Sequence, residues 1–380
     1  MSRILPRWLL LSLVVVATVM LAAACGSDDD DGGGDSASGT AAASGGGKTV
    51  TVGFIYVGTV DDGGYNQAAY QGEVAVSKMP NVKTIHAENV PETADAERVM
   101  EQMIQQGAKI IFPTSFGHLD PALNVAKKHP DVTFFHEGGL KSSSNLGTFF
   151  GTIWQTEYLA GMAAGSASKS GKLGFVVAFP ISQTLLNVNA FHLGARSVNP
   201  NATTTVVFTS AWCDPAKNAE ATQSLVSQGV DVVTQHQDCP VPVIQAAEKA
   251  GIMSVGYHVD DQKFAPNGWL TAAVWDWTKL FPDLVSQAVA GTYKPEVQRF
   301  YLKDGVVDLA PFGSKVPKDV QDKIVAVKAR MVGNEPFLAF TGPVKDQSGA
   351  VKIAAGTTPD IATLESMNWL AEGVVGNIPR

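Results

Sequence analysis

The sequence has few charged side chains, few cysteines and none of the common catalytic signatures. Charged residues make up 17% of the 380 residues and the formal net charge is −8, which argues against nucleic acid as a partner because phosphate backbones attract basic surfaces. It contains no Walker phosphate-binding loop, no G-x-S-x-G motif and no histidine pair at zinc-binding spacing. We therefore expect no enzymatic activity, no catalytic residue, no metal site and no cofactor.

Long apolar runs are also scarce, and the single one lies at the amino terminus. The run from Trp8 to Ala24 follows the basic residues Arg3 and Arg7 and ends in small residues before Cys25. Its length fits the core of a signal peptide better than a membrane span, which needs about 20 apolar residues. Residues 1–25 are therefore predicted to be a lipoprotein signal peptide with the lipid on Cys25. The alternative is an ordinary cleaved signal peptide.

The next segment, residues 26–47, is acidic and rich in Gly, Ser and Ala. This composition cannot bury apolar area, so it predicts a disordered tether. We expect a folded body that is anchored by its lipid on the extracytoplasmic face of the cell membrane. The remaining residues suffice for two domains, because single cores stop growing near roughly 250–300 residues.

Two cysteines remain once Cys25 is assigned to the lipid. Cys213 and Cys239 are an even pair in an exported chain, which permits a disulfide, with two free thiols as the alternative. Each follows a predicted strand, and these strands are expected to be neighbours. Their loops would then meet at one edge of a sheet.

From Lys48 onward, short runs rich in Val, Ile and Phe alternate with stretches of helical period. Continuous apolar strands that alternate with helices indicate a parallel sheet covered on both faces. The predicted strands are 49–57, 82–87, 109–113, 132–136, 172–178, 203–208, 230–235, 252–256 and 269–274. The predicted helices are 64–77, 94–106, 121–128, 183–198, 216–228 and 243–250.

The same order of elements starts twice, which predicts an α/β fold with two Rossmann-like, doubly wound domains in tandem. The stretch 103–111 aligns without gaps to 225–233, and each contains a helix end closed by glycine, Gly107 or Gly229. The predicted domain limits are 48–156 plus about 276–303 for the first domain, 157–274 plus about 306–333 for the second, and 334–380 for a C-terminal extension that packs on both.

Ligands of such sheets bind beyond the carboxyl ends of the strands, and the loops there are rich in aromatic and acidic residues. Aromatic faces hold a flat ring by stacking, and carboxylates accept hydrogen bonds from ring N–H or hydroxyl groups. The loops therefore predict a site for a nucleobase, a nucleoside or a sugar. Asp62 could instead cap the following helix, and His236 could be an ordinary hydrogen-bonding residue. The candidate ligand-binding residues are Asp62, Tyr65, Asn66, Phe116, Trp154, Trp212, His236, Asp260 and Asp276.

Several short motifs carry a family resemblance. They are Val52–Val57, Asp62-x-x-Tyr65-Asn66-Gln67, Glu157–Gly161, Asp214–Lys217, Val255–Gly256 and Leu302–Gly305. With them the chain, from about Thr51 to its end, resembles the basic membrane protein (BMP, PnrA-like) family of bacterial lipoproteins, the purine-nucleoside-binding components of ABC importers. The tail motifs Phe340–Pro343 and Met367–Trp369 resemble the branch whose members bind free adenine or related purines.

The resemblance implies a type I periplasmic-binding fold whose two domains are joined by a hinge of several crossings. In that fold an aromatic ring from each domain sandwiches the base, and Tyr65 and Trp212 take these places. Asp260, with Asp261 as its alternative, falls where an acidic residue meets ribose, and Lys303 matches a lysine near the ligand. The implied partners are a small-molecule ligand and ABC permease subunits, with the protein itself a monomer.

Other classes of function remain open from the sequence. A receptor for a sugar or another ring-bearing solute would use the same loops. A nucleoside-cleaving enzyme would use the aspartates, and a signalling receptor would pass the liganded state to a membrane sensor.

Overall fold

The computed structural model describes residues 49–379. The predictions for the signal peptide, for Cys25 and for the tether lie outside the described residues. Within residues 49–379 no helix has both the length and the apolar character that crossing a membrane requires.

The strands and helices alternate along most of the chain. The strands are β1 (Val50–Ile55), β2 (Val82–Ala87), β3 (Ala108–Pro113), β4 (Thr133–Glu137), β5 (Leu146–Gly151), β6 (Lys172–Val177), β7 (Thr203–Phe208), β8 (Val232–His236), β9 (Met253–His258), β10 (Trp269–Trp275), β11 (Val297–Phe300), β12 (Val307–Leu309), β13 (Val344–Lys345), β14 (Val351–Ile353) and β15 (Val374–Val375). The helices are α1 (Tyr65–Ser77), α2 (Ala94–Gln105), α3 (Leu119–Lys128), α4 (Trp154–Ala167), α5 (Ser182–Val198), α6 (Pro215–Ser227), α7 (Val241–Ala250), α8 (Leu280–Val289), α9 (Lys318–Val332) and α10 (Ile361–Glu365).

Local chemistry explains where several helices begin and end. The Thr93 side chain accepts a hydrogen bond from the Asp95 amide at the start of α2, and Asp214 accepts one from the Lys217 amide at the start of α6. Gly251 has a φ of 73°, the left-handed conformation that closes α7. These residues fix where α2 and α6 begin and where α7 ends.

Two separate sheets form the framework. The first has the order β11-β5-β4-β3-β1-β2 and all its neighbours are parallel. The second has the order β12-β10-β9-β8-β6-β7-β15, and only β12 runs antiparallel to its neighbour. Strands β1 to β5 and β11 belong to the first sheet, and strands β6 to β10, β12 and β15 belong to the second. The chain therefore crosses between the two sheets three times: after β5, after β10 and after β11.

Aromatic side chains fix α8 against the first sheet. The Phe112 ring centroid lies 4.8 Å from that of Phe54 and 4.9 Å from that of Phe281. Trp277 is buried and stacks on Phe281, at 5.6 Å between ring centroids, and on Trp275, at 5.0 Å. This buried cluster holds the second crossing in place.

The C-terminal segment, residues 334–379, packs chiefly on the second sheet and its helices. β15 extends the sheet beside β7. The Asn189 side chain of α5 donates to the Trp369 carbonyl oxygen at 2.9 Å and accepts from the Ala371 amide at 2.8 Å. His192, also on α5, contacts Thr204 Oγ1 and the Glu372 carbonyl oxygen, each at 3.0 Å.

His192 makes the stability of this packing dependent on pH. Burial lowers the pKa of its imidazole from 6.5 to about 4. Between these values the unfolded chain binds a proton that the folded chain does not, so the stabilisation is complete above pH 6.5 and is lost as the pH falls towards 4, at roughly 1.4 kcal/mol per pH unit. We expect the difference in free energy of unfolding between the wild type and His192→Gln to shrink by about 3 kcal/mol over that range. Urea denaturation at four pH values measures it, and a constant difference would contradict the assignment.

Candidate functional site

Three cavities lie in a row between the carboxyl ends of the two sheets. We call the central one the cleft cavity. In this closed structure its water-accessible volume is about 20 Å³, room for about one or two water molecules. The cleft cavity is lined by Tyr65, Ser115, Phe116, Gly138, Phe150, Gln183, Trp212, His236, Asp238, Tyr257 and His258.

The other two cavities share walls with the cleft cavity. The outer pocket, with a water-accessible volume of about 380 Å³, shares Trp212 and Asp238 with it, and the hinge cavity, of about 20 Å³, shares Phe150, Gln183 and His236. The remaining walls of the outer pocket are Val57, Gly58, Thr59, Asp62, Asn66, Asn89 and Cys213. Those of the hinge cavity are Gly151, Thr152, Ile153, Trp154, Leu186, Asn187, Arg299 and Glu365.

We call the parts of the molecule that are built on the first and the second sheet the two lobes. Hydrogen bonds between the lobes hold the cleft cavity closed. The Tyr65 amide donates to the Asp238 carbonyl oxygen at 3.0 Å. Gln183 Nε2 donates to the Gly138 carbonyl oxygen at 2.7 Å. Because each bond joins a residue after a strand of one sheet to a residue after a strand of the other, opening the cleft would break both.

Gly64 allows the lobes to meet at the first of these bonds. A Cβ atom at this position would lie 1.9 Å from the Asp238 carbonyl oxygen and 2.5 Å from Pro240 Cδ. Both distances are far below a van der Waals contact, so only glycine permits this approach of the two segments of the chain.

Trp212 closes the cleft cavity towards the outer pocket. Its Nε1 donates to Glu92 Oε2 on the other lobe at 3.0 Å, while Glu92 Oε1 accepts from Ser115 Oγ at 2.6 Å and from the Gly117 amide at 2.7 Å. The next residue, Cys213, forms a disulfide with Cys239. The disulfide at the next residue fixes the backbone beside Trp212 within its own lobe. The hydrogen bond to Glu92 joins the indole to the other lobe.

Two polar groups of the cleft cavity remain available to a ligand. Asn187 Nδ2 donates to His236 Nδ1 at 3.0 Å and to the Tyr257 hydroxyl at 2.8 Å. The neutral His236 ring therefore carries its proton on Nε2, which has no acceptor among residues 49–379 and can donate to a ligand. The Asp238 carboxyl group likewise accepts no hydrogen bond from any residue that the structure describes, and it can serve as an acceptor.

Burial disfavours charge inside the cleft cavity. It lowers the pKa of His236 to about 3 and that of His258 well below its ordinary value. Burial, together with the charges of Asp62 and Glu92, raises the pKa of the Asp238 carboxyl group. Burial also raises the pKa of the Glu137 carboxyl group, behind Tyr65. Such surroundings favour an uncharged ligand over an ionised one.

The structure brings together four of the ten candidate ligand-binding residues in the cleft cavity: Tyr65, Phe116, Trp212 and His236. Asp62 and Asn66 line the outer pocket, and Trp154 lines the hinge cavity. Asp62 also caps α1, because its carboxylate accepts from the amides of Gly64, Asn66 and Gln67 at 2.8 to 3.0 Å. The structure thus shows Asp62 capping the following helix, which the sequence left open as an alternative to ligand binding.

Asp260, Asp276 and Lys303 line none of these three cavities in the closed structure. Asp260 accepts from the Gln262 amide at 3.1 Å and Asp276 from the Thr278 amide at 3.0 Å, so each carboxylate closes the turn after its strand. Lys303 is exposed, with its Nζ 5.9 Å from the centre of the Tyr301 ring. In this closed structure each of the two aspartates therefore has a local backbone partner.

The candidate set omits several lining residues. Tyr257 and His258 end β9, and Asp238 follows β8, so the rule of strand ends could have found them. Phe150 lies on β5, a strand that the sequence pattern did not predict. Gln183 is the second residue of α5, where a polar side chain is typical of any helix start. Within residues 49–379 no group of three His, Cys, Asp or Glu side chains could hold a metal ion.

Comparison with known proteins identifies the class. The family of PnrA-like ABC transporter substrate-binding proteins matches residues 49–335. A purine-binding protein from Brucella abortus (strain 2308) is 38% identical over 87% of this chain and 94% of its own length. A putative ABC transporter glucose-binding protein from Haloferax volcanii is 32% identical over 87% of this chain and 82% of its own. The solved structure of an ABC transporter solute-binding protein from Aeropyrum pernix K1 superimposes with a TM-score of 0.68 over 83% of this chain and 96% of that chain, at 16% identity.

The chain belongs to the PnrA-like family of ABC transporter substrate-binding proteins. Its fold is the type I periplasmic-binding fold, which confirms the predicted fold class and the family resemblance. Proteins of this class are extracytoplasmic, bind small molecules and interact with ABC permeases. It is a class of binding proteins and not of enzymes. The C-terminal segment beyond residue 335 lies outside the family match.

Proposed function

We propose that this protein captures a purine nucleobase or nucleoside in the cleft cavity and delivers it to an ABC permease. The observation that carries the proposal is the composition of that cavity: aromatic walls, a buried interior that disfavours charge, one free donor at His236 Nε2 and one free acceptor at Asp238. A purine presents two flat faces and an edge with both acceptors and donors. Each property of the cavity has a counterpart on that ring.

In this proposal Tyr65 and Trp212 stack on opposite faces of the ring. Tyr65 is held by a hydrogen bond from its hydroxyl to the Thr114 carbonyl oxygen at 2.5 Å, and Trp212 is held by Glu92 at 3.0 Å. Rings fixed before binding lose little conformational entropy when the ligand arrives. His236 and Asp238 then bond the edge of the ring.

The wider setting is part of the same proposal. Cys25 carries a lipid that anchors the protein to the extracytoplasmic face of the cell membrane, and residues 26–47 act as its tether. The protein works as a monomer, with two domains that close around the ligand, and it returns the ligand chemically unchanged.

Titration calorimetry with adenine, adenosine, guanosine, ribose and glucose tests the ligand. We expect at least one purine to bind a hundredfold or more tightly than either sugar, because each stacked face contributes about 1–3 kcal/mol that a sugar lacks. Chromatography of the released ligand checks that it is unchanged. The similarity to the Haloferax volcanii protein favours a sugar as the second candidate, and glucose or ribose binding as tightly as the purines would establish it instead.

A further inference from the structure

An ion pair joins the two lobes beside the first crossing, which follows β5. Arg299 lies on β11 of the first sheet, and Glu365 is the last residue of α10 in the C-terminal segment. Arg299 Nε and Nη2 donate to the two carboxylate oxygens of Glu365, a forked geometry that fixes both side chains. The side chains of Arg299 and Glu365 are only 7% and 18% exposed, so water and salt screen the pair little.

The C-terminal segment holds Glu365 against the second lobe. Helix α10 packs on α5. The Asn189 side chain of α5 bonds to the backbone of Trp369 and of Ala371, shortly after Glu365 in the chain. Strand β15 then extends the second sheet. The Glu365 carboxylate is therefore carried by the second lobe, whereas the Arg299 guanidinium is carried by the first.

The same guanidinium supports a second contact between the lobes. Arg299 Nη2 also donates to the Gly139 carbonyl oxygen at 2.8 Å. The preceding residue, Gly138, lines the cleft cavity, and its carbonyl oxygen accepts from Gln183 Nε2 of the second lobe at 2.7 Å. Arg299 thus fixes the backbone to which Gln183 bonds, and one polar network runs from Glu365 to the wall of the cleft cavity.

The burial of Arg299 makes the Glu365 charge matter most in the closed state. A buried charge is costly when its partner is removed, because neither water nor a counter-charge compensates it. Separation of the lobes would bring the guanidinium into water, where the cost is absent. Removal of the Glu365 charge would therefore destabilise the closed state more than the open one.

We propose that the Arg299–Glu365 pair is a latch, through which the C-terminal segment prolongs the closed, ligand-bound state. Arg299 is a positioning residue in this latch, because it acts through the backbone at Gly138 and Gly139. Glu365 lies beyond residue 335, where the family match ends. The latch sets how long a ligand is held, and only its kinetic test rests on the proposed function, since the probe is adenine.

Stopped-flow kinetics of adenine binding to the wild type and to Glu365→Gln tests the latch. Glutamine keeps the shape of the side chain and loses its charge. We expect the dissociation rate constant to rise about tenfold, because the closed state is disfavoured by that factor. The association rate constant should stay within about twofold of the wild type, because the pair forms only as the lobes close.

Glu335→Gln is the matched control for Glu365→Gln. Glu335 also pairs with an arginine through both carboxylate oxygens, but that arginine, Arg330, lies only five residues away in the chain. The pair joins neighbouring parts of the chain rather than the two lobes. We expect Glu335→Gln to bind and release adenine as the wild type does.

Hydrogen exchange of the ligand-free proteins gives a readout that a merely structural role of Glu365 would not change. The Tyr65 amide bonds to the Asp238 carbonyl oxygen across the cleft, so its exchange reports separation of the lobes. Local loosening of the C-terminal segment would speed exchange in that segment alone. We expect the Tyr65 amide to exchange about threefold faster in Glu365→Gln than in the wild type, and unchanged in Glu335→Gln.

The latch is overturned if adenine leaves Glu365→Gln at the wild-type rate, if Glu335→Gln reproduces the faster release, or if Tyr65 exchanges equally in all three proteins. Thermal unfolding shows whether each variant is folded. Should Glu365→Gln not fold, Arg299→Lys replaces it, because lysine keeps the charge and loses the forked geometry, and faster adenine release is again expected. If adenine does not bind the wild type, the proposed function fails, and exchange at Tyr65 alone decides the latch.

Discussion

Replacing Gly64 with alanine is expected to weaken purine binding at least a hundredfold. The added methyl carbon would lie 1.9 Å from the Asp238 carbonyl oxygen and 2.5 Å from Pro240 Cδ, so the lobes could not close and the hydrogen bond from the Tyr65 amide to Asp238 could not form. A ligand that binds chiefly to the closed state loses affinity by the factor through which closure is disfavoured. Titration calorimetry measures the affinity, and small-angle scattering at saturating adenine measures whether the molecule still compacts.

Gly107→Ala is the matched control for Gly64→Ala. Gly107 has a φ of 93° and no atom lies within 4 Å of a Cβ placed there, so alanine strains the end of α2 by about 1 kcal/mol without touching the cleft. We expect this variant to be less stable and to bind purines normally. If Gly64→Ala binds within tenfold of the wild type and still compacts, the closed contact at Asp238 is not required for binding.

The roles of Gly64 and Glu92 illustrate what the sequence could not provide. Periodicity and strand-end rules place α1 and β3 within a few residues of their observed limits, because these elements are specified by neighbours along the chain. Gly64 meets Asp238 and Glu92 meets Trp212 only after two domains have folded and closed. Such contacts leave no local pattern.

The strand β5 and the helix α4 were missed for a different reason. β5 reads Leu-Gly-Thr-Phe-Phe-Gly, with glycines that usually mark a turn, yet all six residues are buried. In α4 the residues from Trp154 to Gly165 are buried on every side, so no polar face alternates with an apolar one. Sequence patterns depend on the contrast between core and solvent, and both elements lack it. Phe150 was missed as a consequence.

Aspartates at strand ends show why the sequence alone could not identify the ligand-binding carboxylates. The same position suits a carboxylate that caps the next turn and one that binds a ligand. Asp62, Asp260 and Asp276 accept bonds from nearby amides, whereas Asp238 does not. The φ and ψ angles of the following residues decide between the two roles, and residue identity alone does not encode them.

Trp212→Ala is expected to weaken purine binding about ten- to a hundredfold and to leave the fold intact. The indole lines the cleft cavity, and a stacked base is worth about 1–3 kcal/mol by alanine substitution. Trp212→Phe separates its two contributions, since phenylalanine keeps a stacking face and loses the bond from Nε1 to Glu92. We expect this variant to recover most of the affinity and to release the ligand faster, because the bond across the cleft acts in the closed state.

Trp369→Ala is the control for Trp212→Ala, because that indole is half-buried on the C-terminal segment and lines none of the three cavities. Stopped-flow displacement of adenine from the four proteins gives the dissociation rates, and thermal unfolding shows whether each is folded. Normal affinity in Trp212→Ala would remove the sandwich from the proposed site. A dissociation rate for Trp212→Phe equal to that of the wild type would show that the Glu92 bond does not hold the cleft closed.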